Sequence, residues 1–270
     1  MKRLLVKRPE LKLIITSATI DVDRFSNYFT GAPIFSVTGR SFPVDVHYRP
    51  AILDESQGTE GGLSLIDQIT GAIEEIFIEE KERSWGIGDV LIFLPGEREI
   101  REISTLLKHE NWRDTEILPL YARLGNKDQN RVFQSHTGRR IVLATNVAET
   151  SITVPGIRYV IDPGTVRMSR YSVRSKIQRL PIEAVSQASA NQRKGRCGRV
   201  AEGICYRLYS EEDFLNRSEF TDPEILRTNL AAVILKMMDS GIGEVSEFEF
   251  IDPPENRLWS DGYKLLFELG

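Results

Sequence analysis

Short apolar runs alternate along this chain with longer segments whose apolar residues recur every three or four positions. Leu11–Thr16, Val90–Leu94, Ile141–Thr145, Arg158–Ile161 and Ile204–Leu208 are mostly aliphatic or β-branched and show no polar alternation. That is the pattern of strands covered on both faces. Between Leu63 and Phe77, the residues Leu63, Ile66, Ile69, Ile73, Ile76 and Phe77 form one stripe, with Glu74, Glu75, Glu79 and Glu80 on the wet side. This spacing predicts an amphipathic helix. A second helix is expected over Asp21–Phe29. Alternating strands and helices predict an α/β fold around a largely parallel sheet.

Two stretches break the rhythm. Val166–Leu180 alternates apolar and basic residues too briefly for a helix and reads as a β-hairpin turning near Tyr171–Val173. After Asp222-Pro223, Ile225, Leu226, Leu230, Val233, Ile234 and Met237 mark a helical stripe stopped by Gly241. Domain boundaries are expected near Ser41–Pro50, before the polar Ser56–Gly62 connection, and near Phe220. The first strand has no preceding βα unit to sit beside, and Gly262–Gly270 reads as an unfinished helix, so the chain is expected to be an excerpt of a longer protein.

Composition adds less than charge does. No apolar run approaches the roughly 18 residues needed to span a bilayer, and the basic start lacks the apolar region of a signal peptide. Cys197 and Cys205 have no metal-ligand company, since His47, His109 and His136 are scattered, so both read as small packed residues in a reducing, cytoplasmic setting. The net charge is −4, but it is unevenly spread. Nine acidic residues and one basic lie between Asp54 and Glu82, whereas nine basic and one acidic lie between Pro163 and Val200. The second stretch is a footprint suited to a polyanion.

The sharpest signal is Asn191-Gln192-Arg193-Lys194-Gly195-Arg196-Cys197-Gly198-Arg199. On a helix, Gln192, Arg196 and Arg199 stand at i, i+4 and i+7 and share one face. Two planar guanidiniums and a carboxamide pointing one way suit an oxyanion. Gly195 and Gly198 each cost a helix about 1 kcal/mol, which suggests close approach of a ligand or another backbone. Three further motifs follow predicted strands: Ser17-Ala18-Thr19, Leu94-Pro95-Gly96-Glu97 and Ala144–Thr153. Each alone is compatible with an ordinary capped turn.

In series, Ser17-Ala18-Thr19, Phe93–Glu97, Thr145–Thr153 and Gln192–Arg199 resemble motifs III, IV, V and VI of superfamily 2 helicases. Ala-Glu-Thr-Ser-Ile-Thr at 148–153, Tyr-Val-Ile-Asp-Pro-Gly at 159–164 and Ser-Gln-Ala-Ser-Ala-Asn-Gln-Arg at 186–193 resemble the DEAH-box (DEAH/RHA) branch. The resemblance covers essentially the whole chain. It implies residues 1–42 as the tail of a first RecA-like lobe, 43–219 as the second lobe with a β-hairpin insertion, and 220–270 as the start of a winged-helix domain. It implies an ATP-dependent RNA helicase acting on single-stranded RNA, an overhanging duplex or DNA, with no membrane partner.

By position, the resemblance makes Gln192, Arg196 and Arg199 catalytic, the two arginines as fingers on the γ-phosphate. Ser17 and Thr19 would couple hydrolysis to lobe movement. Phe133 would stack on the base, and Ser151 and Thr153 would face the nucleotide. Thr145, Asn146, Arg170, Arg174 and Lys176 would meet RNA. Pro155 stands where many relatives carry a ribose-contacting Asp. No Gly-x-x-x-x-Gly-Lys-Thr or Asp-Glu-Ala-His sequence occurs in the chain, so the ligands of Mg²⁺ and the phosphate cradle would come from the first lobe. Two rivals remain: an ATPase-inactive nucleic-acid-binding module, and an unrelated α/β nucleotide-binding domain.

Overall fold

The computed structural model describes residues 2–17, 21–37, 42–51, 64–243 and 245–270. The chain divides into two units. One comprises Gly39–Arg167 and Ile182–Thr221; the other comprises Met1–Thr38, Met168–Pro181 and Asp222–Gly270.

The first unit is built on a parallel sheet of β1 (Val44–Tyr48), β2 (Asp89–Phe93), β3 (Thr115–Leu120), β4 (Arg139–Ala144), β5 (Ile157–Asp162) and β10 (Gly203–Arg207), in the order β1-β10-β5-β2-β4-β3. β2, β4, β5 and β10 fall where the apolar runs predict them, because both faces of each are covered. Val90 and Ile92 of β2 pack under α3 (Leu65–Glu82) and α4 (Glu97–His109), while Leu91 and Phe93 face the opposite layer with Val142, Val160 and Ala148. Ser64 caps α3 through a reciprocal bond with Asp67, satisfying two end donors at once. Gly96 opens α4, with Glu97 and Glu99 in its first turn, where negative charge suits the helix dipole. Smaller helices α5 (Asn126–Arg131), α6 (Val147–Thr150), α7 (Gln187–Lys194) and α8 (Glu211–Asn216) follow strands β3, β4, β9 and β10. Strand β6 (Thr165–Arg167) pairs antiparallel with β9 (Ile182–Ala184).

The second unit holds α1 (Lys2–Lys7), α2 (Val22–Tyr28), the hairpin tip β7 (Arg170–Ser172) and β8 (Ile177–Arg179), α9 (Ala231–Asp239) and α10 (Asn256–Leu269). Its core is Ile234, Met237 and Val245 with Val233, Phe250, Trp259 and Leu266 around them.

Three expectations are corrected, and two strands are added. Leu11–Thr16 forms no strand: in its unit the only described ladder is the β7–β8 pair, so the apolar run has no sheet edge to bond. Val44–Tyr48 and Thr115–Leu120, not anticipated, are the two edge strands. The hairpin turns over 173–176, later than expected, with Lys176 at φ +55° closing the turn. The stripe after Pro223 is a 3-10 turn at Glu224–Leu226 followed by α9.

Candidate nucleotide and nucleic-acid site

In an open parallel sheet, ligands bind beyond the carboxyl ends of the strands. Here β5 and β4 flank β2; α6 follows β4, and α7, which follows β9, packs against α6 and β5. Thr145 continues β4 by donating its N–H to the Leu120 carbonyl at 3.2 Å, and the chain turns at once into α6. β5 ends in Asp162, which is fully buried. One Asp162 oxygen accepts from the Gly164 N–H at 2.9 Å, the other from the Tyr209 hydroxyl at 3.2 Å. Ser186 caps α7 by accepting from the Ser189 N–H.

Arg193, on α7, is the hub and is 1% exposed. Its Nη1 donates to Asp162 Oδ1 at 2.7 Å and to the Thr165 carbonyl at 3.2 Å, and its Nε donates to Glu149 Oε2 at 3.0 Å. Its guanidinium lies 4.8 Å from the centre of the Phe93 ring. Burial works against the charge, but Asp162 and Glu149 outweigh it and hold the guanidinium above its usual pKa. Ser189 Oγ donates to the second Glu149 oxygen at 2.5 Å. Sequence reasoning singled out none of Glu149, Asp162, Arg193 and Ser189 as site residues, although all four lie inside the quoted motifs.

The i, i+4, i+7 face of Gln192, Arg196 and Arg199 does not form, because α7 ends at Lys194. Gly195 caps it. Gly198 then turns left-handed at φ +75°, where a Cβ would meet Val44 Cγ2 at 2.5 Å and the Phe42 carbonyl at 2.9 Å. Glycine is required there to let the chain pass against the β1 entry. Arg196 and Arg199 are brought to the α6 loop by other means. Arg196 Nη2 donates to the Glu149 carbonyl. Arg199 Nη1 donates to Thr153 Oγ1 at 2.9 Å and its Nε to the Gly195 carbonyl at 3.3 Å. Burial, and then repulsion from Arg199, pulls the Arg196 pKa down against the pull of Glu149. The Arg196 Nε is buried and makes no hydrogen bond among the described residues.

The other expected residues fall in distinct places. Gln192 is half-buried on the last turn of α7, and Asn146 and Ser151 are exposed on the α6 loop, with Thr145 half-buried beneath. Phe133 is 46% exposed just beyond α5 while Val132 beside it fills the core, so Phe133 is not a core residue. Ser17 is exposed in the other unit, and Thr19 lies outside the described residues. Of the hairpin cations, Arg170 pairs with Asp222 at 2.9 Å and Lys176 with Asp261. Arg174 is exposed and has no ion pair among the described residues. Arg167 pairs with Glu99 at 2.6 Å. Carboxylates thus hold four of the nine basic residues of 163–200: Arg167, Arg170, Lys176 and Arg193. His47, Glu75 and Glu79 gather within 4.8 Å, but Arg49 holds Glu75 and Arg83 holds Glu79, so guanidiniums already answer that charge. Among the described residues no helix is long and apolar enough to cross a membrane.

The family described as the helicase conserved C-terminal domain matches residues 72–201. Over 270 residues, 100% of this chain and 20% of the relative, the sequence is 63% identical to the ATP-dependent RNA helicase HrpA of Escherichia coli. It is 58% identical to the HrpA homolog of Haemophilus influenzae over 271 residues, again 20% of that protein. The chain thus spans about a fifth of the length of these relatives. Among solved structures, the Escherichia coli DEAH/RHA helicase HrpB superposes with a TM-score of 0.84 at 32% identity, covering 100% of this chain and 33% of the other. The six-stranded sheet and its helices are accordingly a RecA-like lobe with added hairpins.

Proposed function

We propose that this chain is the C-terminal lobe of a DEAH/RHA-type ATP-dependent RNA helicase, supplying arginine fingers to ATP hydrolysis and part of the RNA track. In this reading residues 1–42 end the first RecA-like lobe, 43–219 are the second lobe, and 220–270 begin a winged-helix domain. The observation that carries it is the state of Arg196. Its guanidinium is anchored at one end on the Glu149 carbonyl, held beside Arg199, and left with a buried Nε–H unanswered. A buried, unpaired donor is costly unless something completes it. A phosphoryl oxygen would do so, and fingers act by stabilising the charge that spreads over those oxygens in the transition state.

The residues present fit ATP in part. Arg196, Arg199 and Gln192 would meet the γ-phosphate, Ser151 and Thr153 would face the nucleotide, and the exposed Phe133 ring would stack on the base. The phosphate-loop lysine and the acidic ligands of Mg²⁺ are absent from this sequence, so both belong to the first lobe, with Ser17 and Thr19 transmitting between lobes. Thr145 and Asn146 present hydroxyl and amide groups suited to a phosphate backbone, and Arg174 and Arg179 are exposed hairpin charges without an ion pair among the described residues.

The test uses a protein in which this chain follows its phosphate-loop lobe. Arg196→Ala and Arg199→Ala should each lower RNA-stimulated ATP hydrolysis by up to about 10³–10⁵-fold, the range for arginine fingers. Nucleotide-free RNA affinity should stay unchanged. Thr145→Ala should weaken RNA binding more than basal hydrolysis. Loss of nucleotide-free RNA binding in Arg196→Ala with hydrolysis intact would make this arginine part of a nucleic-acid patch and favour the binding-module rival.

A further inference from the structure

The hairpin tip does not stand free. Residues 168–181 share a unit with α9 and α10, and a set of specific bonds fixes them there. The Tyr171 N–H donates to the Arg227 carbonyl at 2.8 Å, and Arg227 Nη1 donates to the Ser169 carbonyl at 3.1 Å. Arg170 pairs with Asp222. At the centre is Asp261 on α10, which is only 4% exposed. Its two carboxylate oxygens are divided between strand β7 and the turn that follows it: Oδ2 accepts from the Tyr171 hydroxyl, and Oδ1 from the Lys176 ammonium.

Two features show that this contact is built rather than incidental. Lys176 takes φ +55°, a left-handed conformation that a lysine adopts at a cost and that persists only where its surroundings over-determine it. The neighbour of Asp261, Gly262, lies where a Cβ would sit 2.9 Å from Ile234 Cδ1 and 3.1 Å from the Ala231 nitrogen. Glycine lets α10 approach α9 at that turn, which sets the depth at which Asp261 is buried. Beneath the tip lies a cleft of about 540 Å³, lined among others by Arg174, Arg257, Val173 and Leu258.

We propose that Asp261 is a positioning residue: a carboxylate latch on α10 that gathers Tyr171 and Lys176 and thereby sets the pose in which Arg174 meets the phosphates of a nucleic acid. Lys176 serves the latch and is not itself a phosphate contact. The nucleic-acid part of this inference rests on the helicase reading above, whereas the latch itself does not.

The experiment is done on the full 270-residue chain with two readouts: amide hydrogen exchange over 168–181, and anisotropy of a labelled single-stranded RNA at fixed salt. Lys176→Gly relaxes the left-handed turn but removes the ammonium. If the latch holds the tip, this variant exchanges about tenfold faster or more across 168–181, as expected for a lost charge-assisted bond to a buried group. Sheet amides keep the parent rate and RNA affinity falls. Lys176→Arg keeps the latch and restores both readouts. Asp261→Asn should match Lys176→Gly, and in case that variant misfolds, the glycine and arginine variants decide alone. Unchanged or slower tip exchange in Lys176→Gly overturns the latch, because Lys176 would then matter only as a turn residue. Faster exchange with unchanged RNA affinity supports the latch and counts instead against the hairpin as an RNA surface.

Discussion

Arg193 offers the most quantitative test of how this site is held. It is fully buried between Asp162 and Glu149, and both carboxylates are themselves nearly or wholly withdrawn from water. Replacing it by methionine keeps much of the volume but leaves two acidic groups without their common cation. Breaking a buried ion pair from one side costs about 3–5 kcal/mol, against a total of about 5–15 kcal/mol for a typical domain. With a urea dependence of about 1–3 kcal/mol per molar, the unfolding midpoint of Arg193→Met should fall by roughly 1–5 M. The transition is read by the fluorescence of Trp85 and Trp112, both in the sheet-bearing unit. The triple variant Arg193→Met, Glu149→Gln, Asp162→Asn should regain most of that loss, because amides cost less to bury than unpaired carboxylates. A loss under about 1 kcal/mol in the single variant, or a triple variant no better than the single, would refute the account of Arg193 as the cation that neutralises the site.

Two further outcomes follow from local geometry. Gly164 sits at φ +74°, and a Cβ there would lie 2.5 Å from Tyr209 Cε1 and 2.6 Å from Arg217 Nη2. Gly164→Ala should therefore destabilise by about 1–3 kcal/mol in thermal or urea unfolding, through backbone strain and the clash together; a neutral result would mean that the β5–β6 turn is not held as described. Burial pushes the Glu116 pKa up, but Arg140 and Arg131 outweigh it and leave the carboxyl below its usual value. A depressed folded pKa contributes stability that is complete above the ordinary glutamate range and is lost as the pH falls through the lowered value. Glu116→Gln should flatten the acid limb of the stability profile, and an unchanged limb would remove Glu116 from that role.

The central strands were legible because burial on both faces leaves unbroken apolar runs, Val90–Phe93 and Ile141–Ala144, after the buried charges Asp89, Arg139 and Arg140 that open those strands. The edge strands were not. Val44–Tyr48 carries Asp45 and His47, and Thr115–Leu120 carries Glu116 and Pro119. Proline and charge are what an exposed edge tolerates, so the same features that protect an edge hide it from an apolar search. Leu11–Thr16 shows the converse, since composition marks a run as able to pair but cannot supply the neighbour. At the candidate site, the quoted motifs meet in space, since Arg196 and Arg199 converge on Glu149 and Thr153. The expected helical face fails because the helix ends at Lys194, while the close approach of another backbone expected of the glycines is met at Gly198, against the Phe42 carbonyl. Arg193 looked like one more solvated cation because its partners lie 44 and 31 positions away, a separation no local pattern reports.

The division of the chain has a consequence for the order in which it can be made. Moving from residue 1 to residue 270, the backbone passes between the two units four times, at 38/39, 167/168, 181/182 and 221/222. By residue 221 every strand of the large sheet has been synthesised, yet the hairpin tip within that stretch belongs to a partner still to come. Lys176 precedes Asp261 by 85 positions. At about 5–20 residues per second, the tip waits roughly 4–17 s after leaving the ribosome's active centre before its carboxylate exists. During that interval the β7–β8 ribbon is a two-stranded pair with nothing beneath it, marginal in water on its own. A boundary drawn at residue 220 to isolate the sheet would make that interval permanent: the lobe would keep its core and carry a 14-residue excursion with no platform to fold upon.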